Sequence, residues 1–121
     1  MFQLSKSFTF EASHQLTNHD DKCARLHGHS WRGWVTLRYE TIHEDGPKRG
    51  MAQDYGDIAA SLKPLVASAL DHHHLNDTIH PTAPTSEAVA RFLFDKLKPA
   101  LPALRSVTIE ETATSRCTYE P

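Results

Sequence analysis

The chain is 121 residues long, 39% apolar and 23% charged, with a net charge of −2 at pH 7. That size and balance describe one soluble domain over residues 1–121, with apolar side chains enough for a core that needs no disulfide staples. The net charge gives no reason to expect nucleic acid or an anionic membrane as partner, no apolar run nears the roughly 20 residues that span a bilayer, and the cysteines, Cys23 and Cys117, make no disulfide framework.

Residues 2–14 alternate as a strand: Phe8, Phe10, Ala12 and His14 share one face, and Thr9, Glu11 and Ser13 the other. Because Met1 to Lys6 leads straight into this pattern, it reads as no secretory leader. The expected location is cytoplasmic and reducing, with Cys23 a free thiol. Residues 17–26 are polar and read as a loop. From His27 to about Ile42 a second strand places His27, His29, Trp31, Gly33, Val35, Leu37 and Tyr39 on one face, with Trp34 an apolar exception on the other. A turn-rich connector follows from His43 to Gly50.

From about Asp54 to Leu70 the period becomes helical, with Ile58, Leu62, Leu65, Val66 and Ala69 as the buried stripe. Asp54 or Asp57 is the N-cap, and Pro64 should kink the helix because it removes one internal hydrogen bond. Asp71 to Asp77 ends the helix and opens a loop that runs to Pro84. A second helix starts at Thr85 or Ser86, buries Val89, Phe92, Leu93 and Leu97, and stops before Pro99 and Pro102. Leu104 to Glu111 reads as a third strand, and Thr114 to Tyr119 as a fourth, hairpinned to it.

Nine histidines in this length call for metal binding or proton transfer. His27 and His29, at i and i+2 on a strand, project the same way and can grip one ion. Such a pair alone is matched by two surface histidines at a strand end. His14 shifts the balance, because a third imidazole on the apolar face of the preceding strand would be costly if unsatisfied. The expected site is zinc held by His14, His27 and His29, with an open position for catalysis.

Beside that cation, Cys23 would have a lowered pKa and act as a thiolate in proton transfer. Two other readings stay open for it, a small buried residue and a further zinc ligand. Asp71 can orient His72 for proton transfer, against the alternative of a helix C-terminal cap. In the run from His72 to His74, consecutive side chains diverge, so one ion cannot take all three. Glu111 shares a face with Val107 and Ile109, so it points inward and needs a partner. That partner is a ligand with an N–H edge or a salt bridge within an oligomer interface.

With these residues in hand, the chain resembles the 6-pyruvoyltetrahydropterin synthase superfamily, and within it the 6-carboxytetrahydropterin synthase branch of queuosine biosynthesis. The resemblance covers nearly the whole chain. It runs through Phe10-Glu11-Ala12-Ser13-His14, Cys23 to His29, Asp54-Tyr55, Leu70-Asp71-His72 with Leu75-Asn76, Pro84-Thr85-Ser86-Glu87 and Glu111-Thr112. Cys23 precedes His27 by four positions, as in the queuosine-type enzymes, and Gln53 replaces a commonly apolar residue.

The resemblance implies an α+β tunnelling fold: a four-stranded antiparallel sheet with two helices on one face, in the order ββααββ. It implies His14, His27 and His29 as zinc ligands, Cys23, Asp71 and His72 as the proton-transfer group, and Glu111 with Thr112 as the anchor for a pterin's pyrimidine edge. The implied substrate is 7,8-dihydroneopterin triphosphate, its phosphates met by Lys22 and Arg25. The implied products are 6-carboxy-5,6,7,8-tetrahydropterin, acetaldehyde and triphosphate. A homo-oligomer, the family's hexamer, with sites between subunits is implied as well. The rival readings are the pyruvoyl synthase reaction, a non-catalytic zinc- or pterin-binding member and a purely structural zinc module.

Overall fold

Alternating apolar and polar side chains make both long strands half-buried, and the two pair along their whole length. The computed structural model describes residues 1–17, 24–79 and 83–121. In it β1 (Phe2–His14) and β2 (His27–Tyr39) run antiparallel, with Phe10 opposite Trp31 and His14 opposite His27. β4 (Leu104–Thr112) pairs antiparallel with β2, and β5 (Ser115–Tyr119) antiparallel with β4. Between β2 and β4 the chain forms α1 (Tyr55–Ala69), β3 (His73–His74), α2 (Leu75–Thr78) and α3 (Ser86–Leu97).

The strand order is β3-β1-β2-β4-β5, and β3 runs parallel to β1 at Ala12 and Ser13. The expected sheet of four antiparallel strands with two helices is therefore corrected to a mixed sheet of five strands with three helices. The four long strands and two long helices stand in the expected order. The additions are a two-residue strand and a one-turn helix, too short to carry a period of their own. They exist because the chain after α1 lies against β1. Strand β2 also ends at Tyr39 rather than near Ile42.

Both long helices are capped by side chains. Asp54 accepts from the Gly56 N–H, and Thr85 accepts from the Ala88 N–H. Lys48 forms an ion pair with Asp54 and lies 3.8 Å from Asp57, which ties the 43–51 connector to the start of α1. Pro64 sits inside α1 without ending it. The carbonyl it leaves unbonded belongs to exposed Ala60 on the solvent side, where water can satisfy it.

The helices cover one face of the sheet. Phe10, Trp31, Val35, Leu37, Val107 and Ile109 meet Ile58, Leu62, Val89, Leu93, Phe94 and Leu97 in a single buried cluster. Phe92, expected in the stripe of α3, packs only at its margin, and Phe94 takes the buried place. The opposite face is polar. There Trp34 lies between the guanidinium groups of Arg32 and Arg116, at 5.7 and 5.3 Å from its ring, which accounts for an aromatic residue among polar ones.

Phe8, Phe10 and Trp31 form a stacked series over the face of β2. The series needs a hydrogen at position 33, because a Cβ on Gly33 would come within 2.3 Å of the Phe8 ring. Gly33→Ala is expected to destabilise the fold by about 1–3 kcal/mol through overpacking, read from the urea unfolding midpoint. A midpoint equal to wild type would show that the Phe8 ring is free to move aside.

Candidate functional site

Register decides which histidines meet. His14 and His27 are direct partners across the β1–β2 pair, and His29 faces Ala12 one step along the same face. Their rings stand edge to face, with centroids 4.5 Å apart for His14 and His27, 5.2 Å for His14 and His29, and 4.9 Å for His27 and His29. Glu111 completes the group. Its neighbours Glu110 and Thr112 pair with Arg116 and Ser115, so Glu111 is the extra residue of a β-bulge at the end of β4. One ligand atom from each of His14, His27, His29 and Glu111 lies within 4.8 Å of all the others.

Backbone carbonyls fix the tautomers. His14 Nδ1 lies 2.8 Å from the Pro84 carbonyl oxygen, and His27 Nδ1 lies 2.7 Å from that of Arg25. A carbonyl only accepts, so each Nδ1 carries the proton and donates it. In a neutral ring the lone pair is then on Nε2, turned toward the cluster. His14 is completely buried, and the Nε2 atoms of His14 and His29 have no hydrogen-bond partner among the described residues. The Glu111 Oε1 atom lies 3.2 Å from His14 Nε2 and 3.4 Å from His29 Nε2.

A lone pair facing a carboxylate at that distance is repulsive unless positive charge lies between them. A proton on the imidazole would supply it, but burial disfavours the charged ring and holds the His14 and His29 pKa values below the usual histidine range, against the raising effect of Glu111. A metal ion supplies the charge without protonating the rings. Imidazole nitrogens with one carboxylate are a suitable donor set for a divalent transition metal. Trp31, buried with its ring centroid 5.2 Å from that of His14 and 5.3 Å from that of His29, walls the cluster with an apolar surface.

Asp71 and His72 form the expected pair, Oδ1 to Nδ1 at 3.1 Å, but not beside the histidine cluster. They lie at the outer edge of β1, where Asp71 Oδ1 accepts from the Glu11 N–H at 3.0 Å and the His72 N–H donates to the Glu11 carbonyl at 2.6 Å. The Glu11 N–H, followed by His72, holds the Asp71 carboxyl below the usual carboxylate range. His72 has φ of +60°, a left-handed conformation that a side chain of its kind adopts at a cost. Its ring is 79% exposed, free to meet a group from outside the chain.

The Arg25 side chain is exposed, while its carbonyl serves His27. Thr112 is exposed next to Glu111, with Oγ1 3.4 Å from that of Thr114. Cys23 and Lys22, expected as thiolate and phosphate contact, lie outside the described residues. Cys117 lines a depression of about 550 Å³ between α3 and β5, together with Thr85, Glu87, Arg91 and Tyr119. The histidine cluster takes no part in that lining. Sequence reasoning missed the convergence of Glu111 with the histidines and the service of Pro84 and Arg25 through their carbonyls. Inward alternation on β4 was the one available signal for Glu111; a carbonyl leaves none.

Comparison with known proteins adds an independent line. The family model described as 6-pyruvoyl tetrahydropterin synthase matches residues 3–121. The chain is 46% identical to the 6-carboxy-5,6,7,8-tetrahydropterin synthase of Synechocystis, over 98% of this chain and 93% of that protein. It is 30% identical to the protein of the same name from Haemophilus influenzae, over 99% of each. The structure of Caenorhabditis elegans 6-pyruvoyl tetrahydropterin synthase superposes with a TM-score of 0.83 at 30% identity, covering 99% of this chain and 95% of that one.

Burial of the neutral imidazoles has a consequence for the metal-free protein. The native state holds His14 and His29 below 6.5, so in that range the unfolded chain binds more protons. Stability of the metal-free protein is therefore expected to be full above about pH 6.5 and to fall as pH drops below it toward the folded-state values. Urea midpoints measured across about pH 5 to 8 test this. A midpoint that holds steady or rises on acidification contradicts it.

Proposed function

The chain belongs to the 6-pyruvoyl tetrahydropterin synthase family, and on that premise we propose that it is a zinc-dependent carbon–carbon lyase acting on 7,8-dihydroneopterin triphosphate. With one water consumed, the proposed products are 6-carboxy-5,6,7,8-tetrahydropterin, acetaldehyde and triphosphate, a step of queuosine biosynthesis in the cytoplasm. The observation that carries the reading is the convergence of His14, His27, His29 and Glu111, with the Nε2 atoms of His14 and His29 left without a hydrogen-bond partner among the described residues. The carboxy branch is favoured by the name and 46% identity of the Synechocystis relative and by the four-residue step from Cys23 to His27. The runner-up is the pyruvoyl synthase reaction, the name carried by the C. elegans structure.

In this reading His14, His27 and His29 hold zinc, and their two strands keep the three rings rigid. When bound, zinc supplies Lewis-acid polarisation of side-chain oxygens. Glu111, whose Oε1 faces His14 and His29 in the free chain, turns with Thr112 to accept the N–H groups of the pyrimidine edge when substrate binds, which fixes the ring and brings its side chain toward the histidines. Cys23, as thiolate, moves a proton at the side-chain carbon. Asp71 holds the His72 imidazole in one tautomer, and His72 moves the proton of the opposite step. Lys22 and Arg25 meet the phosphates. A single domain over residues 1–121 does this as part of a homo-oligomer.

Two observations support sites shared between subunits. The outer edge of β1 from Phe2 to Thr9 and the outer edge of β5 have no strand partner among the described residues, so both are open to pairing with another copy. The Asp71–His72 pair lies on the open side of β1 rather than at the histidine cluster of its own chain. A hexamer is the proposed assembly.

Incubation of the purified protein with 7,8-dihydroneopterin triphosphate is expected to yield the carboxypterin and acetaldehyde. A pyruvoyl product would favour the runner-up, and no turnover would favour a binding protein. Metal analysis of the purified protein is expected to find zinc, and His27→Ala is expected to lose most of it. Zinc content equal to wild type in that variant would remove His27 from the ligand set.

A further inference from the structure

We propose that Asn76 is a positioning residue for the metal centre: its side-chain amide sets the end of β1 and, through it, the place of His14. The proposal rests on reading the histidine cluster as a metal site.

The β1–β2 ladder ends at the His14–His27 pair. Gln15 is the first residue beyond it, and its peptide groups face the outer edge of β1, where the Asn76 amide meets them. Asn76 Oδ1 accepts from the Gln15 N–H at 2.8 Å, and Asn76 Nδ2 donates to the Gln15 carbonyl at 2.8 Å. These are the two bonds a neighbouring strand would have supplied. Only a side-chain amide offers donor and acceptor side by side. A carboxylate would set a second acceptor against the Gln15 carbonyl, and Gln would be one methylene too long.

Asn76 can do this because its own backbone is anchored. Leu75 beside it is completely buried, and the Ile79 N–H closes α2 onto the Leu75 carbonyl at 2.7 Å. The segment from Asp71 to Asn76 lies along β1 as a strap. Glu11 is bonded by Asp71 and His72, Ala12 and Ser13 pair with His73 and His74, Ser13 Oγ lies 3.0 Å from His74 Nδ1, and Gln15 is clamped by Asn76.

His14 has no slack to absorb a shift of its backbone. Its ring is completely buried, its Nδ1 is committed to the Pro84 carbonyl, and Trp31 stands against it. The other two histidines share β2, so the position of His14 relative to them is set between strands rather than within one. Asn76 fixes it from the side that β2 does not reach.

The test is a Zn²⁺ competition titration against a chromophoric chelator, with circular dichroism and thermal unfolding on the same samples. Asn76→Ala is expected to stay folded and to bind Zn²⁺ about 10–100-fold more weakly than wild type. Asn76→Asp, which keeps the bond from the Gln15 N–H, is expected to lose less, and it carries the test should the alanine variant not fold. The visible ligand-field bands of the Co²⁺-loaded protein are expected to shift in both variants. Leu97→Ala, a core substitution at the far end of α3, is the stability control and is expected to bind Zn²⁺ as wild type does. Wild-type affinity and an unchanged Co²⁺ spectrum in the Asn76 variants would overturn the proposal, as would equal weakening in Leu97→Ala. Wild-type protein that binds no Zn²⁺ would instead take away the metal reading beneath it.

Discussion

A buried imidazole lone pair facing a carboxylate is the constraint on which the rest of this structure turns. His14 donates its Nδ1–H to the Pro84 carbonyl in a hydrogen bond, is closed from water, and turns Nε2 toward Glu111. Nothing among the described side chains relieves that arrangement. Burial opposes protonating the ring, and moving the ring away would break its bond to Pro84 and its contact with Trp31. The arrangement is costly in an empty protein and favourable around a cation. It is a small reservoir of unfavourable electrostatics, held in place by a large apolar core.

That core does its holding through β1. One side of the strand is zipped to β2 over its full length, which sets His14 against His27. The other side carries the strap from Asp71 to Asn76, so the Asp71–His72 pair and the end of β1 that carries His14 are bonded to the same few peptide groups. The helix-side face of β1 is buried against α1 and α2. A strand fixed from three directions transmits small displacements rather than absorbing them, as close-packed interiors do. The open stretch from Phe2 to Thr9 is the part without such support, and it lies at the end remote from His14.

Division of labour between backbone and side chain recurs across the site. Pro84 and Arg25 serve it through carbonyls, Glu11 through its peptide group, and Asn76 through an amide that imitates a peptide. Such roles do not depend on side-chain chemistry at the first three positions, which is why residue types there gave no warning. The family match over residues 3–121 and the superposition on the C. elegans structure show that the fold on which these contacts stand is shared with relatives.

Alternation on two stretches was enough to place Phe10, Ala12 and His14 on one face and His27, His29 and Trp31 on another, because a strand's side chains alternate whatever it pairs with. The helical stripes of α1 and α3 were legible except for Phe92, and each cap was narrowed to two residues, Asp54 or Asp57 and Thr85 or Ser86, because period and capping are local properties. The inward turn of Glu111 was legible too, but not its destination. Everything that depends on which segments lie side by side had to wait for the folded chain. The bulge aims Glu111 at the histidines, β3 exists only as a partner of β1, and Asn76 finds Gln15 across 61 positions of chain. The sequence by itself determined which side chains face inward, since each strand or helix carries that information in its own repeat. Their meeting in one cluster was settled by register and by hydrogen bonds between distant peptide groups, for which a linear pattern holds no signal.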